Sequence, residues 1–114
     1  MLRNTTRALI LAQRPRIAAS FAARARGMIG LSFDHFDGLI LPECSSVHTW
    51  FMNQPLDLIF VGGAGITLKI EIEAGPWRFF FGPEGTKTVI ELPAATLYGI
   101  PLERGDILSW QPSA

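Results

Sequence analysis

The chain has 114 residues, the size of one domain with its own core, and we expect a single domain over residues 1–114. Hydrophobic residues make up 48% and charged residues 18%, which excludes the disordered and fibrous classes. The net charge is zero, but six arginines precede Asp34, and ten acidic residues face four basic ones from there on. We expect these two parts to pair with each other, and no sequence-specific nucleic-acid partner is predicted because no run of adjacent basic residues occurs.

The predicted compartment follows from the cysteine count and from the apolar segments. Cys44 is the only cysteine, so no internal disulfide can form and a reducing compartment suits the chain. The apolar run over residues 8–12 is too short for the core of a signal peptide. No segment approaches the length of a membrane span. The sequence therefore predicts a cytoplasmic protein without a membrane span.

In chain order, the sequence alternates short apolar segments with turn residues. Residues 8–12 predict a strand, and Pro15 predicts the start of a short helix over residues 16–26 that Gly27 ends. Gly62-Gly63-Ala64-Gly65 predicts a hairpin turn. Further strands are predicted at residues 39–41, 47–51, 56–61, 66–73, 77–81, 88–92 and 107–110. About seven or eight short strands and one helical insertion predict a mainly β fold, and we favour a small β-barrel because closure removes sheet edges.

One of these segments, residues 77–81, carries Trp-Arg-Phe-Phe-Phe. Alternate side chains of a strand point to opposite faces. Two alternatives stay open at this stage: an exposed apolar patch on one face, which would mark a ligand or partner surface, or burial on both faces.

Several motifs together resemble a known family. They are Arg-Ala-Arg-Gly-Met at 24–28, Gly-Leu-Ile at 38–40, His-Thr-Trp-Phe-Met-Asn-Gln-Pro-Leu-Asp at 48–57, Val-Ile-Glu-Leu-Pro-Ala at 89–94, Gly-Ile at 99–100 and Gly-Asp at 105–106. Their order and spacing resemble the domain of unknown function 192 family, and Cys44 ahead of Val47-His48-Thr49 resembles a subgroup of it. The resemblance implies a compact β-rich, barrel-like fold and no particular activity. We expect a bacterial source.

Soft metal ligands recur at intervals of four residues. Cys44, His48 and Met52 are the ligand types that copper or zinc uses, and they are the weak candidates for a metal site. Residues four apart on an extended strand already lie about 13 Å from each other, which is too far for one ion to bridge. We therefore expect structural roles for Cys44 and Met52 and predict no metal and no cofactor.

Asp57 is the stronger lead, because it lies within an apolar segment and a buried carboxylate requires partners. One interpretation is structural, namely a salt bridge or a backbone clamp. The other is functional, with Asp57, His48 and Glu91 lining a pocket. The candidate cleft residues are His48, Trp50, Asn53, Asp57, Arg26 and Glu91.

Three functional hypotheses follow. The favoured one is a binding or interaction module whose polar and aromatic cleft receives a small polar ligand or a partner segment. The alternative is a small hydrolase or transferase that uses His48 with Asp57 or Cys44, although we expect no enzyme. The third is a structural accessory subunit, which leaves a homo-oligomer open as a partner.

Overall fold

A computed structural model describes residues 1–50, 52 and 54–111 and shows a mainly β protein. Asn53, one of the candidate site residues, lies outside the described residues. The strands are β1 (Leu2–Asn4), β2 (Leu9–Ala12), β3 (Pro15–Ile17), β4 (Gly38–Pro42), β5 (Ser46–His48), β6 (Leu56–Gly62), β7 (Thr67–Ala74), β8 (Phe79–Phe81), β9 (Thr86–Pro93) and β10 (Leu108–Trp110). The helices are α1 (Phe21–Arg26) and α2 (Thr96–Gly99), and a 3-10 turn at Gly63–Gly65 joins β6 to β7.

The strands form three sheets. A five-stranded sheet has the order β3-β4-β9-β6-β7, with β3 parallel to β4 and the other pairs antiparallel. A three-stranded sheet has the order β10-β1-β2, and β5 pairs with β8 alone. Across the described ranges these sheets do not close on one another, so the predicted barrel is not confirmed. The five-stranded sheet ends at β3 and β7, and within the described part of the chain neither of these edge strands is paired with a strand of the other two sheets.

Both faces of the five-stranded sheet are covered by core clusters. Leu39, Leu58 and Val89 belong to one cluster, while their chain neighbours Ile40, Ile59 and Ile90 belong to the other. Successive residues of a strand point to opposite faces, so adjacent apolar residues feed both clusters. Strand β6 is consequently buried at every position. The continuous apolar run in its sequence is that of a strand with two dry faces.

All eight segments predicted as strands contain a strand, whereas β1, β3 and α2 are not predicted by the sequence pattern. The prediction that the helix begins near Pro15 is wrong, because Pro15 opens β3 at the edge of the sheet, where proline is tolerated. Helix α1 begins only after Ser20, whose Oγ accepts a hydrogen bond from the Ala23 N–H at 3.0 Å. Apolar and polar residues alternate in the sequence of β7, but burial does not follow this alternation, because Thr67 is fully buried and Ile72 is exposed.

The expected pairing between the basic and acidic parts occurs at Arg7. Its Nε lies 2.7 Å from Asp106 Oδ2 and its Nη2 lies 2.9 Å from Glu103 Oε2. Asn4 Nδ2 donates to the same Asp106 oxygen at 2.8 Å. These contacts join the N-terminal strands to the loop before β10, where β1 also pairs with β10.

Candidate ligand-binding cleft

A cleft of about 340 Å³ lies where the end of α1 faces β4, β5 and β9. Three of the candidate residues from the sequence line it, namely Arg26 at the end of the helix, His48 and Glu91. Cys44, a weak metal candidate, also lines it. The lining residues that the sequence analysis does not place in a site are Arg24, Ala25, Gly27, Leu41, Glu43, Ser46 and Val47.

Glu91 forms the buried wall of the cleft. It pairs in register with Leu39 on one side and Leu58 on the other, so its side chain lies on the sheet face of those two leucines. The residue is only 2% exposed, and burial raises the pKa of its carboxyl group to about 7, although the Met28 backbone N–H acts in the opposite direction. Glu91 Oε1 is buried and has no hydrogen-bond partner. Such an atom is unfavourable in a folded protein, which makes it a marker for a site.

Gly27 gives the Glu91 carboxyl group its place beside α1. Its φ is +53°, a conformation that glycine adopts at low cost, and it ends the helix. A Cβ atom built on Gly27 would lie 3.1 Å from Glu91 Oε1. The absence of a side chain at this position therefore keeps the wall of the cleft open next to the carboxyl oxygen.

His48, the last residue of β5, is held by aromatic neighbours. Its ring centroid lies 5.4 Å from that of Trp50 and 5.8 Å from that of Phe79. Its Nδ1 atom is buried and, like Glu91 Oε1, has no hydrogen-bond partner. Two unpaired polar atoms therefore belong to residues that line the same cleft.

An aromatic ridge, which we define as Trp50, Phe79 and Phe81, continues from His48 over the surface. The Trp50 and Phe79 rings meet edge to face at 5.0 Å, and Phe79 stacks on Phe81 at 5.7 Å. Trp50 is 42% exposed and Phe81 is 67% exposed, whereas Phe80 between the two phenylalanines is buried. Of the two alternatives for residues 77–81, the structure has the exposed patch on one face of β8.

Cys44 has the properties of a neutral thiol. Its Sγ donates to the Ser46 carbonyl oxygen at 3.1 Å. Burial raises the pKa of the Cys44 thiol; the Ser46 backbone lowers it, Glu91 raises it further and Arg24 lowers it. A protonated thiol is a poor nucleophile and a poor metal ligand. Met52 packs in the core, and the described part of the chain holds no group of three or more His, Cys, Asp or Glu residues placed to bind a metal.

Asp57 lies away from the cleft, on the other sheet face. It pairs in register with Leu92, which belongs to the second core cluster. Its Oδ1 accepts hydrogen bonds from the backbone N–H groups of Glu73 at 2.8 Å and Ala95 at 3.0 Å, and its Oδ2 accepts one from Leu97 at 2.9 Å. The carboxylate therefore clamps the start of α2 onto the sheet, and it is not brought together with His48.

Comparisons with known proteins identify the family of this chain. The model of the family DUF192, described as "Uncharacterized ACR", matches residues 3–110. The chain belongs to the DUF192 family. A UPF0127 protein of Thermococcus sibiricus is 32% identical over 97% of this chain and 75% of its own length. One of Pyrococcus horikoshii is 28% identical over 96% of this chain and 98% of its own.

A solved structure of low sequence identity shares this fold. A protein of unknown function from Novosphingobium aromaticivorans superposes with a TM-score of 0.72 at 23% identity, covering 84% of this chain and 74% of the other. The UPF0127 relatives are archaeal, so the expectation of a bacterial source is not supported. Within the described residues, no helix is both long and apolar enough to cross a membrane.

Proposed function

We propose that this DUF192 protein is a binding module whose cleft takes a small polar ligand. The observation that carries the proposal is the pair of unpartnered buried atoms, Glu91 Oε1 and His48 Nδ1, on residues that line one cleft. Buried polar groups are normally hydrogen-bonded, and leaving one unpaired costs about 1–3 kcal/mol. A ligand that bonds both atoms recovers this free energy on binding. The exposed aromatic ridge beside His48 supplies apolar contact area.

Binding is favoured over hydrolysis or group transfer by the partners of the candidate catalytic groups. The Cys44 thiol donates to the Ser46 carbonyl oxygen, and the Asp57 carboxylate accepts from three backbone N–H groups. Neither side chain bonds His48, so the nucleophile–base and base–orienter contacts of such an enzyme are missing. An accessory subunit without a ligand is the competing proposal, with the aromatic ridge as its contact surface.

Thermal unfolding against a panel of sugars, nucleotides, amines, amino acids, small acids and metal ions tests the proposal. The proteins compared are the native chain, His48→Gln and Glu91→Gln, with His35→Gln and Glu84→Gln as matched changes at exposed positions. A ligand present at about 100 times its Kd stabilises the native chain by roughly 2.7 kcal/mol. We expect this stabilisation to disappear in the two cleft variants and to persist in the two controls.

Two results would count against the binding module. One is the absence of any stabilisation across the panel, and the other is stabilisation that all four variants share. Light scattering of the native chain against Phe81→Ser then distinguishes the accessory subunit, because an oligomer held by the aromatic ridge dissociates when Phe81 becomes polar.

A further inference from the structure

Resting on the proposed function, we propose that the cleft binds a zwitterion of the α-amino-acid class. Its ammonium group contacts Glu91, and its carboxylate contacts Arg24 and Arg26 at the end of α1. Such a ligand carries both charges on one small skeleton, and its size suits a cleft of about 340 Å³. Its apolar side chain leaves the cleft past His48 toward the aromatic ridge.

Opposite charges line this cleft without pairing with each other. Across residues 1–50, 52 and 54–111, the ion pairs involve Arg7 and Lys69, and none joins Glu91 to Arg24 or Arg26. Arg24 Nη1 donates to the Ala19 carbonyl oxygen and Arg26 Nε to the Ile29 carbonyl oxygen, contacts that leave each guanidinium further N–H donors. One wall of the cleft thus carries the Glu91 carboxyl group, and the other carries the guanidinium groups of Arg24 and Arg26. A ligand with an ammonium and a carboxylate group complements both walls at once.

The two walls are close enough for one small molecule to reach both. Cys44 lines the same cleft, and both groups act on the pKa of its thiol, which the Glu91 carboxyl group raises and the Arg24 guanidinium lowers. Glu91 Oε1 also lies against Gly27, the residue that follows Arg26 in the chain. The carboxyl group therefore faces the same turn of backbone that carries the arginines.

The acceptor at the buried wall favours an ammonium group over a neutral donor. Glu91 Oε1 is unpartnered at a residue that is 2% exposed, and a cation that contacts it stabilises the ionised carboxylate. His48 Nδ1 offers a second acceptor when the ring carries its proton on Nε2. An ammonium group has three N–H donors and satisfies both atoms together, whereas a hydroxyl group has one donor.

The side chain of the ligand is placed by the aromatic ridge. His48 lines the cleft and touches both Trp50 and Phe79, so the ridge begins where the cleft ends. Aromatic rings that meet edge to face or offset-stacked attract one another beyond the effect of the area that they bury. An aromatic amino acid is therefore the probe that touches the most of this surface.

Calorimetric titration with three related probes tests this ligand class. L-phenylalanine carries both charges, phenethylamine lacks the carboxylate and 3-phenylpropionate lacks the ammonium group. At about pH 8 the Glu91 carboxyl group, with its pKa of about 7, is mostly ionised. We expect L-phenylalanine to bind at least about tenfold more tightly than either of the other probes, since removing one charged hydrogen bond weakens binding by roughly a factor of ten.

Variants assign each charge to its wall. Glu91→Gln should weaken L-phenylalanine and phenethylamine about tenfold and leave 3-phenylpropionate unchanged. The double change Arg24→Gln with Arg26→Gln should weaken L-phenylalanine and 3-phenylpropionate about tenfold and leave phenethylamine unchanged. Arg14→Gln, at an exposed arginine outside the cleft, is the matched control. Thermal unfolding without ligand shows that each variant is folded.

These measurements distinguish the zwitterionic ligand class from the binding module in general. If either single-charge probe binds as tightly as L-phenylalanine, the zwitterionic ligand class is wrong and the binding module stands. The same conclusion follows if the compounds whose binding depends on Glu91 all belong to another class of the panel. If no compound of any class binds, both proposals are overturned.

Discussion

Asp57 and Glu91 are two buried carboxyl groups on paired strands whose side chains lie on opposite faces of the same sheet. Asp57 pairs in register with Leu92, and Glu91 pairs with Leu58 in the adjacent register pair. Adjacent positions of a strand point to opposite faces, so the two carboxyl groups have different surroundings. The Asp57 oxygens accept three backbone hydrogen bonds, whereas Glu91 Oε1 accepts none. The first carboxyl group holds the fold together, and the second lines the cleft.

Replacing Asp57 by Asn should therefore destabilise the fold and leave the cleft unchanged. The amide group of Asn turns one acceptor into a donor, so either the backbone N–H of Leu97 or those of Glu73 and Ala95 lose their partner. We expect the free energy of unfolding to fall by about 3 kcal/mol, from the missing charged hydrogen bond and the unpaired buried donor. Urea unfolding measures this change, with Asp34→Asn at an exposed position as the control. A loss below about 1 kcal/mol would show that the clamp contributes little.

Glu91 should make the protein less stable as the pH rises from about 4.5 to neutrality. Burial raises the pKa of its carboxyl group from 4.5 to about 7, so above pH 4.5 the unfolded chain releases this proton before the folded one does. The free energy of unfolding then falls between about pH 4.5 and 7 and levels off above that range. The loss is about 3 kcal/mol, at roughly 1.4 kcal/mol for each pKa unit.

The difference in unfolding free energy between the native chain and Glu91→Gln isolates this contribution, because the other titrating groups are common to both proteins. The charged or titratable residues that share the cleft with Glu91 are Arg24, Arg26, Glu43, Cys44 and His48. Urea unfolding at a series of pH values should show the native chain losing stability relative to Glu91→Gln as the pH rises. A difference that stays constant with pH, as expected for Glu84→Gln, would contradict a raised pKa at Glu91.

The sequence predicts the strands well where the apolar pattern is long and poorly where it is short. β6 and β9 appear as apolar runs between turn residues, and both occur close to their predicted bounds. β1 has three residues and β3 begins with a proline, so neither carries a periodic signal of its own. β1 pairs with β10 at the far end of the chain as well as with the neighbouring β2, and β3 pairs with β4 across the segment that contains α1. Closure into a barrel likewise depends on long-range pairing, and local patterns do not report it.

For the site, the sequence identifies the residue types and not their grouping. His48, Glu91 and Arg26 are all candidates from the sequence, and the cleft contains them. The sequence groups Asp57 with His48 because a carboxylate in an apolar segment requires partners, but its partners are backbone N–H groups that no side-chain pattern reveals. Assigning Asp57 and Glu91 to opposite faces requires the register between β6 and β9, which follows from the folded sheet.

Cys44 should react slowly with a disulfide reagent, and its reaction rate should change when a charge on either wall of the cleft is removed. Burial raises the pKa of the thiol, so little thiolate is present at neutral pH. At about pH 8, Glu91→Gln should speed the reaction severalfold, because it removes a negative charge that raises the thiol pKa. Arg24→Gln should slow the reaction for the converse reason, and Arg26→Gln, the same change at the neighbouring arginine of α1, is the matched control. A rate equal to that of free cysteine would contradict the buried, protonated thiol.

The alternating phenylalanines of β8 should separate stability from binding. Phe80 is 4% exposed and pairs in register with the buried Val47, so Phe80→Ala should lower the free energy of unfolding by about 3–5 kcal/mol. Phe79 and Phe81 lie on the outer face, and we expect Phe81→Ala to change stability by no more than about 0.5 kcal/mol. Phe79→Ala removes the ring next to His48 and should weaken L-phenylalanine severalfold while leaving glycine unaffected. Urea unfolding and calorimetric titration of the three variants measure both effects. Equal destabilisation by Phe80→Ala and Phe81→Ala would mean that the ridge is part of the core and not a ligand surface.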